Sequence, residues 1–117
     1  MITIKSTSCR LLDDNNRGLS FYKVITKVTD GVTTATFQRY RLIPSWSDLT
    51  DKQRRKHFRE EVNDELFEVL NNYENIQENW EKIQEDMKES IHRSHQNFEA
   101  YHKCINSVHG FWELYDF

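Results

Sequence analysis

Four of the five histidines lie close together towards the C-terminal end of the chain, and three of them repeat at intervals of seven residues. This interval places His95, His102 and His109 on one helical face, but successive members are about 10 Å apart along the axis, too far for one metal ion. The tighter set of His95, Glu99 and His102, at i, i+4 and i+7, could meet a single ion. The fourth histidine of the group is His92.

Two Glu-x-x-His pairs, Glu89/His92 and Glu99/His102, overlap this cluster. Helical bundles with two metal ions use the same spacing, but they need the pairs on different helices, and here one predicted helix carries both. We therefore expect no metal and no cofactor, with the histidines half-buried or solvated. A metal-binding helical dimer and a pH switch remain alternatives.

The sequence has no nucleophile motif and no glycine-rich phosphate loop. Its three glycines, Gly18, Gly31 and Gly110, are too few and too scattered to build a phosphate cradle. Cys104 and His102 are two positions apart, which places them on different faces of a helix. These absences predict that the protein is not an enzyme.

A basic cluster opens the first predicted helix, where the helix macrodipole is already positive, and acidic residues follow it. Charge placed against the dipole indicates a functional contact or pairing within the fold. Either an anionic partner binds the cluster, with Arg39 and Arg41 of the sheet extending it, or the acidic second helix neutralises it. The cluster consists of Lys52, Arg54, Arg55, Lys56 and Arg59.

Acidic residues at helical spacing form a second charged surface. Residues 1–60 carry twelve Lys or Arg against six Asp or Glu, whereas residues 61–117 carry four against thirteen. Such a surface is usually a solvated helix face, but it could also imitate a phosphate backbone or bind a partner. The predicted acidic face consists of Glu61, Asp64, Glu65, Glu68, Glu78, Glu81 and Glu85.

Alternation of apolar and polar residues predicts a three-stranded antiparallel meander over residues 1–43. In the second strand, Tyr22 and Val24 share one face, and Phe21 and Lys23 share the other. The pair Asp30-Gly31 predicts a two-residue type I′ turn, which needs positive φ at both central positions. Pro44 ends the region.

Two helices should follow, over residues 50–72 and 75–109, the first opened by a capping box between Thr50 and Gln53. The second helix carries a long apolar stripe, which exceeds what a small sheet and a single shorter helix can cover. We therefore expect a homodimer, and an aromatic tail at residues 110–117 that packs down. The self-association residues are Trp80, Ile83, Met87, Ile91 and Phe98.

Together these features predict a single α+β domain over residues 1–117. Cys9 and Cys104 are expected as free thiols, and with no signal peptide or membrane-spanning run we expect a cytoplasmic protein without a membrane partner. The favoured function is a non-catalytic binding protein that inhibits or modulates a protein partner, such as a host or defence enzyme, as viral or mobile-element accessory proteins do. The alternative is nucleic-acid binding through Lys52–Arg59.

Overall fold

The computed structural model of the chain describes residues 2–15, 19–44 and 48–105. Three strands, β1 (Thr3–Asn15), β2 (Leu19–Thr29) and β3 (Thr34–Pro44), precede two helices, α1 (Asp51–Asn71) and α2 (Trp80–Ile105). The predicted α+β fold, a three-stranded antiparallel sheet followed by two helices of which the second is longer, is confirmed. His109 and the predicted tail at residues 110–117 lie outside the described residues.

The sheet has the order β1-β2-β3, with β1 and β3 at its edges. The β2–β3 pairing is regular, whereas the β1–β2 register shifts twice, once between Ile4 and Ser6 and once between Leu11 and Asp13. Each shift adds one unpaired residue to β1, which bends and twists a strand locally. The uninterrupted part of β1 is therefore the segment from Ser6 to Leu11.

The connection between β2 and β3 differs from the predicted type I′ turn. The strands end at Thr29 and resume at Thr34, so four residues separate them. In the part of the chain that the structure describes, only Gly31 has a positive φ, at 99°. The Asp30 carboxylate instead accepts hydrogen bonds from the backbone N–H groups of Val32 and Thr33, at 2.9 and 2.7 Å. This side-chain closure replaces the tighter backbone turn.

One face of the sheet packs against both helices to form the core. Alternate residues of β2 and β3 supply the sheet side, and every fourth residue of α1 supplies the next layer, as the periodicities of strand and helix require. Burying each such side chain stabilises the fold by about 1.5–3 kcal/mol. The core contains Tyr22, Val24, Val28, Ala35, Phe37, Phe58, Val62, Leu66, Leu70, Trp80, Ile83 and Met87.

The capping box that opens α1 is confirmed: Thr50 Oγ1 accepts from the Gln53 N–H, and the Gln53 side chain accepts from the Thr50 N–H. The second helix starts at Trp80, five residues later than the apolar spacing suggests, because a separate turn is closed by a 3.0 Å bond from Asn79 N to Asn75 O. Ile76 in this turn still packs against the core. Within the described residues, neither helix combines the length and apolar character needed to cross a bilayer.

α2 lies along β3 and passes from one face of the sheet to the other. At its start, Trp80 Nε1 donates to Thr33 Oγ1 at 2.7 Å. Near its other end, the Phe98 ring stacks on Tyr40 at 4.3 Å and meets Phe21 edge-on at 5.5 Å. Tyr40 and Phe21 lie on the opposite side of the sheet from the core. α2 therefore covers the β3 edge, while no strand from the described part of the chain lies beside the outer edge of β1.

Candidate functional site

The arginines predicted to extend the basic patch are neutralised within the fold. Arg39 and Arg41 lie on the helix-facing side of the sheet, since they pair with Val24 and Tyr22 of the buried face. Both contact Glu65 of α1, with Arg39 Nε 2.7 Å from Oε1 and Arg41 Nη2 2.7 Å from Oε2. Both guanidinium groups are thus already paired within the fold, and their role in partner binding stays a prediction.

The same two arginines pair with Glu61 and Glu65, two members of the predicted acidic face. Arg41 Nε also donates to Glu61 Oε1 at 2.9 Å. Burial alone would raise the pKa of Glu65, but the hydrogen bonds and charges of Arg39 and Arg41 outweigh it and lower the pKa. The Arg39 guanidinium further lies 4.1 Å from the Phe37 ring centroid and donates to Ser90 Oγ of α2 at 2.9 Å. This network joins β3 to both helices.

Arg54 fixes the start of α1 on the sheet. The Tyr22 hydroxyl, at the end of a fully buried side chain, donates to Asp51 Oδ1 at 2.7 Å and accepts from Arg54 Nε at 2.9 Å. Arg54 Nη1 donates to Leu49 O at 2.6 Å. The hydrogen bond from Tyr22 is the main reason why the pKa of Asp51 lies below its ordinary value.

Arg55 completes this anchor by pairing with Asp51 and with β1. Its Nε lies 2.8 Å from Asp51 Oδ2, and its Nη1 donates to Cys9 O at 3.2 Å. The first turn of α1 is thus paired internally, but through Tyr22, Asp51 and backbone carbonyls. The alternative that the acidic second helix neutralises this turn is wrong for Arg54 and Arg55.

Three cations remain, Lys52, Lys56 and Arg59, and we call them the basic flank. Their spacing of i, i+4 and i+7 aligns them on one side of α1. Within the described residues, no carboxylate forms an ion pair with any of them. Lys52 and Lys56 are exposed, and Arg59 is half-buried. The basic flank is therefore the part of the predicted patch whose charges no described carboxylate neutralises.

Asn63 continues the same stripe and shows where the basic flank lies. Its amide accepts from Thr26 Oγ1 at 2.7 Å and donates to Thr7 Oγ1 of β1 at 3.2 Å. The flank therefore borders β1, the opposite side of α1 from the Glu61 and Glu65 network.

Cys9, a free half-buried thiol, sits beside this border. Burial raises the pKa of Cys9, while the charges of Arg55 and Arg59 act in the opposite direction. A thiol with a raised pKa is a poor nucleophile at neutral pH. Cys9 is therefore better suited to packing between β1 and α1 than to covalent chemistry.

The rest of the predicted acidic face is solvent-exposed. Asp64 and Glu68 project from α1, and Glu78 precedes α2, while Glu81 and Glu85 project from α2. Glu85 contacts Lys88 on its own helix at 3.4 Å, with both side chains about three-quarters exposed. Exposed pairs of this kind contribute little to stability.

The histidines are held by neighbouring side chains. His95 Nδ1 lies 3.0 Å from the Tyr40 hydroxyl, and His95 Nε2 lies 3.0 Å from Glu99 Oε1. His102 instead stacks on Phe98 at 5.4 Å and meets Phe21 edge-on, so the set of His95, Glu99 and His102 is not brought together. Among residues 2–15, 19–44 and 48–105, no three His, Cys, Asp or Glu side chains are placed to hold a metal ion. The absence of metal remains a prediction.

Three of the five residues predicted to mediate self-association are buried within one chain. Trp80, Ile83 and Met87 are 6%, 0% and 4% exposed. The sheet and α1 cover them together, so they do not present an interface. Ile91 and Phe98 are half-buried, and Phe98 contacts Tyr40 and Phe21.

Comparison with other proteins gives no relative. No protein-family model matches the sequence, no curated protein is significantly similar to it, and no solved structure matches its fold significantly. The contacts described above are therefore the basis for a functional proposal.

Proposed function

We propose that this is a non-catalytic binding protein that docks on an acidic surface of a protein partner through Lys52, Lys56 and Arg59. The observation that supports this proposal is that these three cations align on one side of α1 and form no ion pair among the described residues. The neighbouring arginines Arg54 and Arg55 are bound to the fold. The basic flank is thus presented from a helix whose first turn is fixed.

The dimensions of the basic flank favour a macromolecular partner. Seven residues of helix span about 10 Å, so three carboxylates at similar spacing could be contacted at once. The flank lies on the outside of a helix, whereas sites for small molecules are concave and enclose their ligand. Two of its three members are exposed lysine side chains, which suit the solvated rim of a protein interface.

The surrounding charges favour an acidic protein over nucleic acid. Glu60, Asp64 and Glu68 are exposed on the same helix, and they would repel a continuous polyanion. Three phosphate contacts would also give a salt slope of only about −2.7, well below that of strong DNA-binding proteins. We further propose that binding modulates the partner by occupying its acidic surface, as an accessory inhibitor would.

Affinity purification with matched charge reversals tests this function. We compare the wild type with K52E/K56E/R59E and with a control, K82E/K88E/R93E, which makes the same change in net charge on exposed positions of α2. The wild type and the control should retain the same nuclease-resistant protein partner, and the basic-flank variant should lose it. Capture that the basic-flank variant retains, or that nuclease abolishes, would overturn the proposal.

A further inference from the structure

Among the residues that the structure describes, no strand pairs with the outer edge of β1, which lies next to the basic flank. In that part of the chain β1 pairs with β2 alone, and α2 packs mainly against β3 at the opposite edge. Between the two register shifts, Ser6 to Leu11 pair without interruption with Lys27 to Tyr22. A regular strand with a free edge offers backbone N–H and C=O groups at the spacing that another strand requires.

The cations of α1 lie close enough to β1 to act on a strand added there. Arg55 Nη1 already donates to Cys9 O at 3.2 Å, and the Arg59 charge acts on the Cys9 thiol. Asn63, next in the stripe of the basic flank, contacts Thr7 at 3.2 Å. An added strand would run about 4.8 Å outside β1. Every second side chain of that strand would face the same side of the sheet as α1.

We propose that an extended acidic segment of a protein partner adds to β1 as a fourth strand, with alternate carboxylates directed at the basic flank. This inference rests on the proposed function and specifies its binding mode. Backbone hydrogen bonds to an exposed strand edge supply affinity in such complexes, and alternate side chains supply specificity.

A second copy of this chain fits the edge less well than an acidic segment. Antiparallel pairing of two β1 strands places a two-fold axis perpendicular to the sheet, so both α1 helices lie on the same face. The two basic flanks would then face each other across the axis, and like charges repel. Charge complementarity therefore selects an acidic strand.

A labelled decapeptide of alternating Glu and Thr tests the proposal by fluorescence anisotropy at low salt. Binding should weaken at least tenfold when alternate peptide amides are N-methylated, because one edge of the peptide strand then has no N–H donors, while the charge of the peptide is unchanged. It should weaken at least tenfold in K52E/K56E/R59E and remain within twofold in K82E/K88E/R93E. Hydrogen exchange should show new protection of amides within residues 6–11.

The outcomes separate this inference from the proposed function. Equal binding of the N-methylated peptide, or no new protection in β1, would refute strand addition and leave a charge-only contact on the basic flank. Partner capture that depends on the basic flank, without any peptide binding, would refute strand addition as well. Peptide binding that K52E/K56E/R59E retains would refute the role of the basic flank in both proposals.

Discussion

The two sides of α1 differ in what happens to their charge. On the side that faces β3, Glu61 and Glu65 meet Arg39 and Arg41 through three contacts of 2.7–2.9 Å. On the side that borders β1, the basic flank has no ion pair among the described residues. The first side joins α1 to the sheet, whereas the second is the side through which we propose that a partner binds.

This difference shows why the division of charge along the sequence is a poor guide to which charges are available. The opposed basic and acidic stretches of α1 suggest that the two ends of the helix differ. In three dimensions the two sides of the helix differ, because β3 supplies two arginines to Glu61 and Glu65, whereas no described carboxylate pairs with the basic flank. The predictions below test each side in turn.

Removing the central carboxylate of the paired side should have the largest effect on stability. Glu65→Ala leaves Arg39 and Arg41 without their shared acceptor, and we expect a loss of about 2 kcal/mol in the free energy of unfolding. Urea denaturation measures it. The control Glu68→Ala removes an exposed carboxylate and should change stability by less than about 0.5 kcal/mol. Equal effects of both variants would contradict the distinction between the two sides.

Lowering the pH should remove part of the stabilisation that the Glu65 carboxylate provides. The pKa of Glu65 is lower in the folded state than its ordinary value, so the folded state binds its proton less readily than the unfolded chain. This contribution is complete above about pH 4.3 and is lost as the pH falls through the lowered folded value. Urea midpoints of wild type and Glu65→Gln should therefore differ most near pH 7 and converge in acid. A constant difference would show that Glu65 acts without its charge.

Tyr22→Phe should disconnect the anchor that holds the first turn of α1. The hydroxyl serves both Asp51 and Arg54, and its loss should cost about 1 kcal/mol. The pKa of Asp51, followed by NMR, should rise towards its ordinary value, since the Tyr22 hydrogen bond is the main cause of its lowering. Tyr101→Phe, at an exposed tyrosine, provides the control. An unchanged Asp51 titration would rule out this role of Tyr22.

Reversing the basic flank should have the smallest effect on stability. Negative charge near a helix N-terminus is favourable by a few tenths of a kcal/mol, and new repulsion from nearby carboxylates offsets part of it. The thermal midpoint of K52E/K56E/R59E should therefore stay close to that of the wild type. The comparison variant Arg54→Glu/Arg55→Glu should melt lower, because it breaks the contacts with Tyr22 and Asp51. A marked fall in the thermal midpoint of K52E/K56E/R59E would show that Lys52, Lys56 and Arg59 stabilise the fold.

Local patterns in the sequence predict much of the fold. Alternation in β2 predicts that Tyr22 and Val24 share one face of the sheet, because side chains of a strand alternate strictly, and both lie in the core on the same face. The Thr50 and Gln53 capping box also depends only on neighbouring positions, and it forms. The prediction of a two-residue type I′ turn between β2 and β3 is wrong, because the Asp30 side chain, and not the backbone alone, closes the loop.

Pairings between distant elements could not be read from spacing. Whether Arg39 meets a carboxylate depends on where α1 crosses the sheet, and the sequence does not specify that position. The length of the apolar stripe predicts a dimer interface at Trp80, Ile83 and Met87, because a small sheet and one shorter helix are not expected to cover it. In the structure, the sheet and α1 bury all three residues together. A buried tyrosine hydroxyl needs a partner, so Tyr22 on the buried face could have indicated a polar anchor at the start of α1.

The course of α2 also affects how the protein is made. Its contacts with β3 and with the turn before it join residues 47 to 58 positions apart, from Trp80 with Thr33 to Phe98 with Tyr40. Ribosomes add about 5–20 residues per second, so the three strands are complete roughly 3–12 seconds before the whole of α2 has been translated. During that interval nothing from α2 covers the β3 edge or the Phe21 ring. Unpaired strand edges and exposed aromatic surface promote aggregation. The nascent sheet should therefore be most prone to aggregate in the interval before α2 is made.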